Sequence, residues 1–239
     1  MRYERQEELY AILKEKGSAT VAELAARIYT SEASVRRDIA ALEERGLVEK
    51  VYGGVILATH KNGEMPVGIR DSANAKAKDE IAARAAELVR DDMTIIIDSS
   101  STARRIVKHL VGKKGLRIIT NNLSIFTDVS RLDAKIYCTG GVYNKNGNDF
   151  LGPRAEQFLS TVSADILFFS AQGLSECGEI TDVSEERNSL RRVMLTRASR
   201  RVFLCDSSKL GVCRTFTLCT ADEVDSIISD ADVNAFLQL

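Results

Sequence analysis

Apolar residues recur along the first sixty positions at the three-and-four spacing of helices. Leu9, Ile12 and Leu13 stripe residues 2–16, which predicts a helix closed by Gly17. Thr20-Val21-Ala22-Glu23 has the spacing of a capping box and opens a second helix with Leu24, Ala25 and Ile28 on its buried face. Tyr29-Thr30 is a short turn. Residues 31–46 read as a third helix. Ser31 is its N-cap, Glu32 suits the positive end of its dipole, Val35, Ile39 and Leu42 form its buried stripe, and Gly46 stops it. Two short β-like runs follow in Leu47–Leu57, about a turn-rich centre, as in a hairpin or wing. Helix, short helix, tight turn, longer helix and hairpin is the order of a winged helix-turn-helix.

The face of the third helix opposite its stripe carries Ala33, Ser34, Arg37 and Ala41, with Arg36 at the edge. Small residues, a hydroxyl and arginines suit a helix that enters a DNA major groove and reaches phosphates and base edges. Ser31, Ser34, Arg36 and Arg37 are therefore candidates to hold and read DNA. Arg37 is the foremost base reader, because it lies opposite the stripe. Lys50, Tyr52 and Gly53 would add contacts from the wing. A three-helix protein-interaction domain with a hairpin is the competing reading.

Residues 59–74 are polar and broken by Gly63 and Pro66, so a linker is expected there, between a domain at 1–58 and another at 75–239. From residue 77 the pattern alternates. Helices are expected at 77–90, 102–111, 123–131, 155–161, 184–199 and 231–238. Short apolar strands are expected at 93–98, 116–120, 134–139, 165–170, 201–205 and 226–228. Such alternation implies an α/β domain with a mostly parallel sheet covered on both faces.

In such sheets ligands bind at the carboxyl ends of the strands. Those ends read Asp98-Ser99-Ser100-Ser101-Thr102, Asn121-Asn122, Gly140-Gly141, Gln172-Gly173 and Asp206-Ser207-Ser208-Lys209. Singly, each is an ordinary turn or N-cap. Together they suit a pocket for a polar ligand, with hydroxyls and backbone N–H groups for a phosphate and one Lys to balance an anion.

Composition narrows the class without selecting it. The 239 residues are 44% hydrophobic and 28% charged, as in an ordinary globular chain. The formal net charge is −1, and the first sixty residues hold nine Lys and Arg against ten Asp and Glu, so any case for DNA rests on arrangement. No apolar run is long enough to span a bilayer and the first residues are not a signal peptide, so a cytoplasmic protein without a membrane role is expected. The five cysteines are scattered and read as reduced and mostly buried, and His60 and His109 are far apart in sequence. Neither a metal site nor a cofactor is expected.

Arg5, Ile12-Leu13, Gly17, Val21, Glu23-Leu24, Ser31, Val35-Arg36-Arg37-Asp38-Ile39, Leu42-Glu43, Gly46 and Gly53-Gly54 together resemble the winged helix-turn-helix of DeoR-type bacterial regulators. Tyr52 stands where that family commonly has His. The resemblance continues over nearly all of 75–230, to an effector domain similar in fold to ribose-5-phosphate isomerase and glucosamine-6-phosphate deaminase. It implies a transcriptional regulator, not an enzyme, that represses a carbohydrate-catabolism operon under control of a phosphorylated sugar or related metabolite. It also implies a homo-oligomer, dimer or tetramer, on operator DNA. By position, Asp98, Ser99, Ser101 and Thr102 match the family's phosphate loop, and Asn121, Gly140, Gly141, Gly173 and Lys209 match other pocket positions. Ser100 and Ser170 replace common glycines, and Arg191 replaces a frequent Lys. Ser100 and Arg191 are counted among the effector-binding candidates. The alternative is a sugar-phosphate isomerase or deaminase carrying an N-terminal interaction module. Asp98, Asp182 and Asp206 offer it carboxylates, but no pair stands out at catalytic spacing.

Overall fold

The computed structural model describes residues 2–44, 47–57, 70, 71 and 73–237. Gly46 and most of the expected linker lie outside them. The chain divides into two compact units, Met1–Ala75 and Lys76–Leu239.

In the first unit α1 (Arg2–Lys16), α2 (Val21–Arg27) and α3 (Glu32–Glu44) stand where the apolar stripes put them. The Thr20–Glu23 capping box forms in full. Ser31 accepts the Ser34 amide at 3.3 Å and so caps α3. Leu9, Leu13, Leu24, Val35, Ile39 and Leu42 meet in one core. The wing strands β2 (Val48–Val51) and β3 (Gly54–Leu57) are joined by a third strand, β1 (Ser18–Thr20), that the sequence pattern did not reveal. It pairs antiparallel with β3, placing Ala19 against Val55. Three residues are too few to display a strand's alternation.

Asp38, the last residue of the Arg-Arg-Asp run, is fully buried rather than part of the exposed face. Its carboxylate accepts from Arg5 Nε at 2.5 Å and from Gln6 Nε2 at 3.5 Å, which ties α1 to α3.

The second unit is built on six parallel strands, β4 (Thr94–Ile97), β5 (Leu116–Thr120), β6 (Ala134–Cys138), β9 (Ala164–Phe169), β12 (Ala198–Cys205) and β14 (Ser226–Ser229). Their order is β14-β12-β9-β4-β5-β6, the doubly wound arrangement, with its switch point between β4 and β9. Side chains alternate across the sheet. Ile95, Ile97, Ile118 and Phe168 face a core closed by α4 (Ala75–Ala86) and by α5 (Ser101–Arg104) with its 3₁₀ extension Arg105–His109. Ile96, Ile119, Leu167 and Phe203 face another closed by α7 (Pro153–Ser160) and α8 (Glu185–Arg197). Burial on both faces is why these strands read as unbroken apolar runs.

Some expectations need correction. The helix expected at 123–131 shrinks to α6 (Ile125–Asp128), and the closing helix to α9 (Val233–Leu237). Residues 140–152, taken for a glycine-rich strand end, contain the hairpin β7 (Val142–Asn144) and β8 (Asp149–Leu151). β10 (Gly173–Leu174), β11 (Glu179–Asp182) and β13 (Phe216–Thr220) form a separate antiparallel sheet. Only Cys205 and Cys219 of the five cysteines are buried, their thiols pushed up to about 12 by desolvation, while Cys177 and Cys213 are exposed. No helix among the described residues is long and apolar enough to cross a membrane.

Candidate functional site

The first unit presents a cleft of about 520 Å³ between α3, the start of α2 and the wing. Arg36, Lys50 and Gly53 line it together with Glu32. Each cation in it has a local counterion. Arg36 Nη2 lies 3.1 Å from Glu32 Oε2, and Lys50 Nζ lies 2.7 Å from Glu43 Oε2. The hydrogen bond from Lys50 holds the Glu43 carboxyl below its ordinary value.

Arg37, Ser34 and Ser31 are not lining residues of that cleft and form a group of their own. Ser31 and Ser34 hydroxyls are 3.1 Å apart, Arg37 Nη2 donates to Ser34 Oγ at 3.3 Å, and Arg37 Nε donates to the Ala33 carbonyl at 3.4 Å. The guanidinium is thus laid along its own helix, exposed and pre-positioned. Tyr52 is 70% exposed at the wing tip beside Gly53, whose φ of 89° fits the tight turn there.

In the second unit the polar strand ends converge at the switch point. Arg191 of α8 is buried between two carboxylates, with Nε 2.9 Å from Asp98 Oδ2 and Nη1 2.8 Å from Asp182 Oδ2. Burial works against the charge on Arg191, but the two aspartates outweigh it and raise its pKa above the ordinary value. Burial likewise pushes the Asp182 carboxyl up, and Arg191 with Arg187 outweighs this and leaves it lowered. Asp98 Oδ1 also accepts the Ser100 amide at 3.0 Å. Both carboxylates are thus engaged by one guanidinium.

Ser99 Oγ donates to Asp149 Oδ2 at 2.8 Å, and Arg187 Nε donates to the same oxygen at 2.6 Å. Ser100 caps α5 through the Ala103 amide at 3.1 Å. Ser170 Oγ donates to the Leu204 carbonyl at 2.5 Å and receives Lys209 Nζ at 2.7 Å. Lys209 also lies 3.6 Å from Asp206 Oδ2. Thr102 Oγ1, Asn121 Oδ1 and Asn122 Nδ2 are buried without a hydrogen-bond partner among the described residues. Gly141 and Gly173 have packing reasons for lacking a side chain. A Cβ would lie 2.4 Å from the Leu151 carbonyl oxygen at Gly141 and 2.2 Å from that of Val212 at Gly173. Gly140 has open space around it.

Several members of this cluster were not among the effector-binding candidates. Lys78 of α4 is 4% exposed, with Nζ 3.2 Å from Ser101 Oγ. In the sequence it is one polar position on an amphipathic helix, although a Lys placed beside the buried Ile81 is a usable signal. Asp149 and Arg187 come from the overlooked hairpin and from α8, and no local pattern links them. Asn122, named in the sequence only as part of a polar strand end, is another.

A winged helix-turn-helix joined to an α/β unit with a polar strand-end site is the make-up of a DNA-binding transcriptional regulator with a sensor domain. Residues 5–61 match the DeoR-like helix-turn-helix domain, and residues 73–231 match the DeoR C terminal sensor domain. The chain belongs to the DeoR family of HTH-type transcriptional regulators, and it is a regulator, not an enzyme. It is 32% identical to the HTH-type transcriptional regulator GolR of Listeria innocua, over 98% of this chain and 93% of that protein. It is 30% identical to the L-fucose operon activator of Haemophilus influenzae, over 98% and 94%. It is 27% identical to the lactose phosphotransferase system repressor of Staphylococcus epidermidis, over 96% and 92%. Among solved structures it is similar to ribose 5-phosphate isomerase A of Methanocaldococcus jannaschii, with TM-score 0.42 and 18% identity over 57% of this chain and 55% of that one.

Proposed function

We propose that this regulator represses a carbohydrate-catabolism operon, and that a phosphorylated sugar or related metabolite bound at the strand-end site of the second unit changes its grip on operator DNA. The observation that carries the sensor half is the company around Ser101. An ammonium, Lys78, is buried within hydrogen-bond distance of its hydroxyl, and Thr102 and Asn121 keep buried polar atoms without partners among the described residues. Leaving such atoms unpaired is costly, and a bound anion with hydroxyls would satisfy them. Lys209, held by Ser170, supplies a second ammonium at the far side of the switch point.

On the DNA side, Ser31, Ser34, Arg36 and Arg37 hold and read the major groove, with Lys50, Tyr52 and Gly53 on the backbone. The protein acts as a homo-oligomer, at least a dimer, so that the ligand can alter how two heads meet two half-sites. Names among the relatives support a carbohydrate operon and include both a repressor and an activator.

The test is a thermal-shift panel of sugar phosphates, polyol phosphates and their unphosphorylated forms on the full chain. A ligand that binds the folded state raises the midpoint by mass action. A phosphorylated compound is expected to raise it and to change binding of the chain to its own promoter. Lys209→Ala should weaken anionic ligands far more than neutral ones, and equal loss for both would refute the charge role. A reporter that falls when the gene is deleted would reverse the sign to activation.

A further inference from the structure

Glu32 is the first residue of the recognition helix, and its side chain is 52% exposed. Among the described residues that line the cleft beside α3 it is the one acid, facing Arg36, Lys50 and Gly53. A carboxylate there is costly in general. DNA carries one negative charge per roughly 1.7 Å of its axis, so an acid on the docking face repels the duplex whatever its sequence. One local environment reverses that sign. Residues at the N-terminal end of a recognition helix reach base edges, and the amino group of cytosine is a major-groove donor that Glu accepts from.

Arg36 completes the geometry. It lies one turn further along the helix, with Nη2 3.1 Å from Glu32 Oε2. The pair therefore presents an acceptor and a forked donor side by side. A C·G base pair offers the complement, the cytosine amino group next to the O6 and N7 acceptors of guanine. Arg37, by contrast, is held by the Ser34 hydroxyl and the Ala33 carbonyl.

We infer that Glu32, paired with Arg36, is a specificity-determining residue. Its carboxylate accepts from a cytosine in each half-site, Arg36 donates to the paired guanine, and pairs that place a guanine or thymine acceptor against the carboxylate are rejected. The inference rests on α3 being the helix that reads DNA.

Selection from a random duplex pool tests it, using the full-length wild-type protein and the Glu32→Gln, Glu32→Ala and Lys50→Ala variants. The wild type should enrich a motif containing a fixed C·G pair. Glu32→Ala should lose about tenfold preference at that one position and keep the rest of the motif, while Glu32→Gln, which both accepts and donates, should shift that position toward adenine. Both variants should also bind unrelated duplex several-fold more tightly, because one repulsive charge is gone. Lys50→Ala should weaken every sequence alike. Unchanged circular-dichroism melting of the exposed-site variants would keep the comparison clean. Retained preference at every position, or an equal loss across all sequences, would overturn the role of Glu32. A wild-type protein that enriches no sequence would instead overturn the DNA-reading assignment of α3, and this inference with it.

Discussion

Arg191 decides the charge balance inside the sensor unit. Its guanidinium spans Asp98 and Asp182 as a fixed fork, which an ammonium cannot reproduce from one position. Arg191→Ala would leave two carboxylates buried together and should cost on the order of 3–5 kcal/mol. The pH dependence should reverse in sign. In the wild type the folded Asp182 carboxyl lies below its ordinary value, so its contribution is present above the unfolded value and is lost as pH falls through the lowered one. Without Arg191 the desolvation of Asp182 is opposed by the more weakly acting Arg187 and the Val183 amide, so its carboxyl should rise and destabilisation should grow as pH rises from about 4. Urea unfolding of the sensor unit at pH 8, 5 and 3.5 separates the cases. A variant that keeps the wild-type pH profile would show that Arg191 does not govern these groups. The sequence marks Arg191 as a replacement for Lys and an available anion ligand. It carries no trace of the partner that engages it, because Asp98 lies 93 positions away. The same holds for Arg5 and Asp38, both visible as members of a motif but not as partners of one another.

At the scale of elements, legibility followed burial. The parallel strands are buried on both faces and the helices on one, so each leaves an apolar signature of run or stripe. The short antiparallel pieces leave none. β1, β7 and β8 have three residues each and β10 has two, and their places are set by what they pack against. β10 is the clearest case. Gly173 sits so close to the Val212 carbonyl and to Thr181 Oγ1, at 2.2 and 2.8 Å from a built Cβ, that any side chain must separate these segments. Gly173→Ala is expected to cost about 1–3 kcal/mol through overpacking. The Gly211 amide, which donates to the Leu174 carbonyl at 2.9 Å, should then exchange faster, and the nearby Lys209 should lose its fixed position on Ser170. Hydrogen exchange at 173–174 and 209–212 reads this directly. An unchanged pattern there would mean that the loop adapts and that the glycine matters only to the ligand. The site was therefore legible as a set of strand ends, while the hairpin residue Asp149 and the helix residues Lys78 and Arg187 were legible only once the chain had folded around them.

The whole molecule explains how a nearly neutral protein can hold DNA. Non-specific affinity comes from Lys and Arg that displace counterions, and its strength scales with their number. Here the cations of the cleft stand opposite Glu32 and Glu43, and the net charge is −1. One head of this kind gains little from the backbone and depends on base contacts. Tight binding then requires two heads held together, because the second binds at an effective concentration set by the link and not by the solution. If the sensor unit joins the heads in the proposed oligomer, it should be needed for affinity as well as for the proposed ligand control, and this has a measurable consequence. A fragment of residues 1–58 should keep the base preferences of the full chain, while its affinity for a two-half-site operator should fall by roughly 10²–10⁴-fold. Inserting five base pairs between the half-sites turns them to opposite faces of the duplex and should weaken the full chain but leave the fragment unaffected. Fluorescence anisotropy on the two operators, with both proteins, measures all four affinities. If the fragment binds as tightly as the full chain, a single head suffices, and ligand control must then act within one protomer.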